Sequence, residues 1–315
     1  MADTSIARGR NDRRKTAAAA IAVGELHQLA DGLPAFKDGL SAAVNGDTNV
    51  RFVPTGQATC PKLASVVCLD GGRAYWDHAN NWVTPLKPTS GRGFLLGSFV
   101  GDAASADSTC VVNIDVPPRY EIELREGYWT TEAALGLGVT LLPGGSVQLA
   151  FDAVAEVAQA AIYSERTVPI ASNPIFECRL AIFDVGDNAA LDIDVGLASS
   201  SHASNFETIT DFVSFHWDGA DLSIWAQSDD GTTDVAPVDT TLNAVDDTFL
   251  ELWIDGRDPT SLKLYVNGVR VLSGTTFSWA AATGPAKAIC LIEKTSDDTL
   301  ADVRIEDMRV RIAEQ

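Results

Sequence analysis

Apolar and polar residues alternate with a period of two over much of the chain, in short runs punctuated by Gly, Pro, Asn and Asp. That is the signature of half-buried strands rather than helices. In the first part, Val50-Arg-Phe-Val53 ends at Pro54. Ser65 to Leu69 stops at Asp70-Gly-Gly72 and is followed by Ala74-Tyr-Trp76, which predicts a hairpin. Trp82-Val-Thr84, Gly93 to Val100 and Thr109 to Ile114 complete five or six short strands, the spacing of a small barrel or sandwich. Val116-Pro-Pro118 interrupts the pattern.

Beyond that break the strands lengthen. Ser146 to Asp152, Ala190 to Leu197 and Asp211 to Trp217 alternate; Ile175 to Phe183 starts so and then turns apolar throughout. Leu222 to Ala226 and Thr248 to Ile254 follow. Ala153 to Tyr163 reads equally as a helical turn or a strand. Leu262 to Val266, then Asn267-Gly268, then Val269 to Leu272 is the strongest local signal: Asn-Gly supplies the two positive φ angles of a type I′ hairpin turn. Ala286 to Glu293 and Asp302 to Ile312 close the series. The fold class is therefore all-β: a small N-terminal β-barrel or sandwich, then an antiparallel two-sheet sandwich. The expected divisions are a basic arm at 1–24, a β domain at 25–118 and the sandwich at 119–315.

Composition narrows the partners. No apolar run approaches the length of a membrane helix, so a soluble chain with no membrane partner is expected. The net charge is −20, from 23 Lys and Arg against 43 Asp and Glu. The residues up to Pro118 are balanced, and the whole excess lies from Arg119 onward. An acidic surface of that kind repels phosphate backbones, which argues against nucleic acid. At the N-terminus Arg8, Arg10, Arg13, Arg14 and Lys15 precede a short Ala-rich run that imitates a signal peptide, but Glu25 and His27 follow at once. A mobile basic arm is the better reading. The five cysteines are scattered without CxxC spacing and read as small buried hydrophobes, with a Cys60–Cys68 clip as the alternative.

Two resemblances follow from these residues. Phe176-Glu-Cys-Arg-Leu180 leading to Asp194-Val-Gly-Leu197, Leu250 to Ile254 followed by Leu264-Tyr-Val-Asn-Gly268, and Ile305 to Val310 resemble the concanavalin A/laminin-G type jelly roll. That resemblance specifies a fold better than an activity, since members include lectins, glycanases and inert modules. In the first part, Gly72-Arg-Ala-Tyr-Trp-Asp77, Trp82-Val-Thr84, Leu96 to Val100, the acidic turn Gly101 to Asp107 and Thr109 to Ile114 resemble the capsid decoration (head-fibre) proteins of tailed phages. The chain departs from them in its basic arm and appended sandwich. The resemblance implies a virion protein on the outside of the head shell, made in the host cytoplasm, with the major capsid protein as partner and commonly a homotrimer.

Catalytic patterns are poor. Glu121-Ile-Glu-Leu-Arg-Glu126 imitates the paired carboxylates of jelly-roll glycanases, but it stands at the domain entrance and reads as a solvated strand face. Asp192 and Asp194 share one face of a strand and read as charges protecting a sheet edge. His27, His78, His202 and His216 are too far apart in sequence for a zinc motif. No cofactor is expected; calcium in the Asp-rich loops Asp184 to Asn188, Asp229-Asp230 and Asp246-Asp247 is the alternative. Trp217, Trp225 and Trp253 lie within strands and read as core. Trp76, Trp82, Trp129 and Trp279 lie near turns.

The expectation is thus a non-enzymatic head decoration protein. Arg8, Arg10, Arg13, Arg14, Lys15, Trp76 and Trp82 would meet the capsid, and Trp129 and Trp279 would meet glycans. The alternative is a secreted or surface carbohydrate-binding protein or glycanase of the jelly-roll type. A tail fibre is a third reading, weakened by the absence of long repeats or coiled-coil segments.

Overall fold

The alternating pattern is realised as antiparallel sheet in a computed structural model of the chain. The structure describes residues 13–15, 26–28, 34–37, 44–46, 50–53, 56–89, 93–124, 129–134, 137–142, 145–152, 154–183, 191–200, 206–219, 221–297 and 302–312. Two units are resolved, Met1–Pro118 and Arg119–Gln315.

Among the described residues the first unit forms two sheets. One has the order β1-β4-β3-β2, with β1 at Arg13–Lys15, β2 at Leu26–Gln28, β3 at Pro34–Lys37 and β4 at Val50–Val53. Arg13, Arg14 and Lys15 pair in register with Phe52, Arg51 and Val50. This end of the basic segment is therefore sheet, where a free arm was expected; Arg8 and Arg10 lie outside the described residues. The other sheet has the order β5-β9-β8-β6-β7, from β5 (Gly56–Pro61), β6 (Arg73–Asp77), β7 (Trp82–Thr84), β8 (Phe94–Phe99) and β9 (Thr109–Ile114). A parallel bridge from Lys62 to Val83 brings the end of β5 round to β7, so the sheet curls towards a barrel. Cys60, Cys68, Ala74, Trp76, Val83, Leu96, Phe99, Cys110, Val112 and Ile114 fill its interior.

Ser65 to Leu69, expected as half of a hairpin, is not a strand. Ser65 adopts φ 66, which breaks extended geometry. The segment instead lies along the loop after β8: Ser65 N–H donates to Ser105 O, and Cys68 and Ala103 exchange both backbone hydrogen bonds at 2.9 Å. Asp70 fixes its far end by accepting from Gly101 N–H at 2.6 Å, while Asp102 accepts from Asp70 N–H.

The second unit is a two-sheet sandwich. Its first sheet has the order β12-β13-β25-β16-β21-β22-β23, with β10 paired to β25. Its strands are β10 (Ile122–Glu123), β12 (Leu137–Leu141), β13 (Val147–Phe151), β16 (Pro174–Phe183), β21 (Leu250–Asp255), β22 (Lys263–Val266), β23 (Val269–Val271) and β25 (Asp302–Ile312). The second sheet has the order β11-β14-β24-β17-β18-β19-β20, with β15 paired to β24. It comprises β11 (Trp129–Ala134), β14 (Glu156–Ser164), β15 (Val168–Pro169), β17 (Leu191–Ala198), β18 (Phe212–Asp218), β19 (Ser223–Asp229), β20 (Asp234–Asn243) and β24 (Pro285–Asp297).

Alternate residues of both sheets face one core, among them Phe176, Leu180, Ile193, Val195, Phe215, Trp217, Leu252 and Ile292. Fully burying such a side chain contributes about 1.5–3 kcal/mol before cavity effects. The β22–β23 hairpin turns through Asn267 (φ 49) and Gly268 (φ 75), the pair of left-handed conformations its sequence requires. The ambiguous stretch before Tyr163 is strand β14, because both of its faces are covered: Ala158, Ala160 and Ile162 meet the core, and Ala161 and Tyr163 a second apolar cluster. Strand β20 had no sequence signal. It is polar and contains Pro237, which an edge strand with bulged pairing to its neighbour tolerates.

Candidate functional site

The second sheet has an outward face that is not uniformly wet. Because Ile193, Val195, Val213, Phe215, Ile224, Ala226, Cys290 and Ile292 point into the core, period-two geometry turns Asp192, Asp194, Ser214, His216, Trp225, Gln227, Leu291 and Glu293 outward. A one-turn 3₁₀ helix at Phe206–Thr208 lies over one part of this face. There Phe206 and Ile209 pack with Tyr163, Ala198, Phe212, Ile289 and Leu291. Phe206 and Phe212 meet edge-on at 5.0 Å. The apolar cover leaves a polar zone beside it.

That polar zone is assembled by strand register. Asp194 on β17 lies opposite His216 on β18, and His216 lies opposite Trp225 on β19. Trp225 in turn faces Asp239 on β20. One residue pair further along β17, Asp192 is flanked by Glu293 of β24 and Asp218 of β18, with Gln159 of β14 beyond Glu293. Close approach of β17 and β18 needs Gly196, since a Cβ there would lie 2.1 Å from Val213 O.

Asp194 is buried, and its carboxylate is well used. Oδ1 accepts from Ser214 Oγ at 2.8 Å and from Gln227 Nε2 at 2.9 Å, and Oδ2 lies 3.3 Å from His216 Nδ1. Burial opposes a charge on His216. The hydrogen bond and charge of Asp194, with the charges of Asp192 and Glu207, outweigh it and push the imidazole up to about 9. His216 is therefore an imidazolium at neutral pH. Glu293 moves the other way from an ordinary carboxyl: burial first, then the charges of Asp192, Glu207 and Asp194, push it up to about 8. Burial, reinforced by Asp218, Asp194 and Glu207 and opposed by His216, lifts Asp192 to about 6. Glu293 is buried and its Oε2 has no hydrogen-bond partner among the described residues. The zone thus offers a buried carboxyl oxygen, a carboxylate–imidazolium pair and a half-buried indole.

Ligand atoms of Asp194, Glu207 and His216 lie within 4.8 Å of one another. The set does not fit calcium, which takes six to eight oxygens. An ion that accepts imidazole would first have to displace the His216 proton. Of the acidic loops considered for calcium, Asp184 to Asn188 lie outside the described residues. Asp230 is buried and spends its carboxylate on the N–H groups of Thr232, Thr233 and Ala281 and the hydroxyl of Ser278. Asp246 and Asp247 are exposed.

The tryptophans sort differently from their sequence reading. Trp279, expected at a glycan surface, is 1% exposed and belongs to the sandwich core. Trp76, expected at a capsid contact, is 5% exposed inside the first unit. Trp129 is half-buried against the core, with its N–H donated to Glu123 O at 2.8 Å. Trp82 is half-buried in β7. Conversely Trp225, read as core, faces outward in the polar zone. Asp192 and Asp194, read as edge protection, occupy a strand in the middle of its sheet. The alternation already placed Asp192, Asp194, Ser214 and His216 on the polar phase of two strands; only the pairing, across 22 residues between Asp194 and His216, was invisible.

No family model and no curated protein matches the chain. Several solved structures are similar. The carbohydrate recognition domain of Emp46p, in a point-mutant form, is 13% identical, covers 58% of this chain and 87% of its own, and has a TM-score of 0.44. A structure described among the endo-acting O-glycanases of human gut microbiota is 10% identical, covering 62% and 100% at a TM-score of 0.45. The carbohydrate esterase vb_24B_21 of Shiga toxin-encoding bacteriophage phi24B is 13% identical, covering 62% and 99% at a TM-score of 0.40.

Proposed function

We propose that the second unit is a glycan-binding module, and that its ligand sits on the outward face of the second sheet. One observation supports this reading above the others: half-buried Trp225 stands in register with the His216–Asp194 pair, on the face that also carries the unpartnered Oε2 of Glu293. An indole offers a flat apolar surface for the C–H face of a sugar ring, and the carboxyls of this face that are not buried, Asp192, Glu207, Asp218 and Asp239, can accept from its hydroxyls, with the buried His216–Asp194 pair on the same face. The apolar cover from Phe206 and Ile209 bounds the zone on one side. The test is binding of the whole protein to an array of immobilised glycans, followed by titration of tryptophan fluorescence with the best ligand. Saturable binding with a change in indole emission is expected. No binding above background on a broad array overturns the reading.

A second reading is favoured by the Asp192–Glu293 pair. These residues are directly opposed across β17 and β24, and at neutral pH Glu293 keeps its proton. A protonated carboxyl beside a more acidic one is the acid and base pair of glycoside hydrolysis. Glu293 would protonate the leaving oxygen, and Asp192 would act on the other side of the scissile bond. Release of reducing ends from the array ligand, lost in Glu293→Gln while binding persists, supports hydrolysis; binding without release confines the module to adhesion.

For the first unit, attachment to a viral head shell remains a proposal supported by its resemblance to decoration proteins. The resembling segments form β6, β7, β8 and β9 of one sheet. Burial of Trp76 leaves Trp82 as the better contact candidate of the two. Copy number in purified particles tests it: hundreds per particle support a decoration role, and absence from particles excludes it.

A further inference from the structure

Three of the five cysteines converge in the small β domain. Cys60, Cys68 and Cys110 are all buried, and all belong to the same core cluster. Their side chains are not equivalent. Cys60 stands opposite Cys110 across the β5–β9 ladder, but its thiol turns back along its own strand and donates to Ala58 O at 3.8 Å. Cys110 directs its thiol to Cys60 O at 3.9 Å and is in side-chain hydrogen-bond contact with Cys68. Cys68 itself is fully buried on the segment that was expected to be a strand and is not, held to Ala103 by a single bridge. The same segment is tied down by buried Lys62, whose Nζ donates to Val66 O at 2.6 Å and Leu63 O at 3.1 Å.

We propose that Cys68 and Cys110 form a disulfide pair, closed when the protein meets a small-molecule disulfide such as oxidised glutathione. The thiolate of Cys68 attacks one sulfur of the oxidant, giving a mixed disulfide and one glutathione thiol. Cys110, after losing its proton, attacks the Cys68 sulfur and expels the second glutathione thiol. Two electrons pass from the protein to the oxidant, and the two thiol protons end on the two glutathione products. The bond ties a strandless segment to β9 across the loop from 68 to 110, so it restricts the unfolded chain as well as the native one. Contact with Cys68, then burial, push the Cys110 thiol well up, with Lys62 acting the other way, and burial pushes Cys60 up to about 12. Exchange in the folded protein is therefore slow, and the bond closes most readily during refolding. Cys178 and Cys290 have no part in it; both are buried in the sandwich.

The full chain, reduced and then refolded or equilibrated with oxidised glutathione, is denatured and alkylated, and its disulfide peptides are mapped. The expected result is loss of two alkylatable thiols out of five, a cross-linked peptide joining Cys68 to Cys110, and a melting temperature that falls on adding reductant. Cys60→Ala should still lose two thiols, whereas Cys68→Ala should lose none. The wild-type peptide map decides the pairing even if a variant folds poorly. A bridge to Cys60, or five alkylatable thiols after both treatments, overturns the proposal.

Discussion

The sandwich has two outward faces, and they treat buried charge in opposite ways. On the first sheet, buried Glu177 accepts from Arg309 Nε at 2.8 Å and from Arg311 Nε at 2.9 Å. Arg179 reaches Glu306 at 2.5 Å and Glu251 at 3.6 Å, and its guanidinium lies 4.9 Å from the Phe249 ring. Burial alone would raise Glu177, but the two arginines outweigh it and hold the carboxyl at about 2. On the second sheet, Asp192, Asp194, Glu207, Asp218 and Glu293 share one imidazolium among the described residues, and two of these acids are raised. A compensated buried charge is costly to unpair, whereas acids crowded beyond their counterions cost stability in the native state itself, and a binding site is where such a cost is retained.

The largest expected effect comes from breaking the compensated face. Glu177→Ala takes away the carboxylate that two buried guanidinium groups share, Arg309 keeping Asp307, and should cost about 3–5 kcal/mol, read from denaturant unfolding. Its pH signature has a definite sign. The Glu177 contribution is present above 4.5, its ordinary value, and is lost as pH falls towards 2.

The crowded face should respond in the other direction and less strongly. Between pH 4.5 and about 8 the folded protein keeps the Glu293 proton that the unfolded chain has released, so stability falls as pH rises through that window. The His216 ion pair contributes fully below 6.5 and is lost as pH climbs through about 9. Unfolding free energy should therefore decline from mildly acidic to alkaline pH. Glu293→Gln should flatten the lower part of that decline while leaving the His216 part. An unchanged profile in Glu293→Gln would mean that the carboxyl is not protonated in the folded state. The smallest effect on folding is expected from Trp225→Ala, about 1–2 kcal/mol, because the indole is only partly buried on the outward face.

Much of this fold is legible in the sequence because period-two patterning survives wherever one face of a strand is wet. The Asn267-Gly268 hairpin, Thr109–Ile114 and Asp302–Ile312 are read directly from it. Failures have local causes. Ser65 takes a left-handed conformation that no hydrophobic pattern reports, and β20 carries a proline and few apolar residues because it is an edge. The candidate site was half legible. Strand phase identifies the outward residues, but the register that sets Asp194 beside His216 and Glu293 beside Asp192 is a property of the assembled sheet. Tryptophans mislead for a related reason: Trp279, just ahead of a turn, is swallowed by the core, while Trp225, inside a strand, points away from it.

The outward phase of each sheet carries a tryptophan, half-buried Trp225 on the second and buried Trp253 beside Tyr265 on the first, and this gives the most direct test of glycan binding. Affinity for the best array glycan should be measured for the wild type, Trp225→Ala and Trp253→Phe, each first shown to be folded. Loss of about tenfold or more in Trp225→Ala, with Trp253→Phe unchanged, is the expected result. Wild-type affinity in Trp225→Ala, or a loss confined to Trp253→Phe, would contradict the assignment of binding to the crowded face.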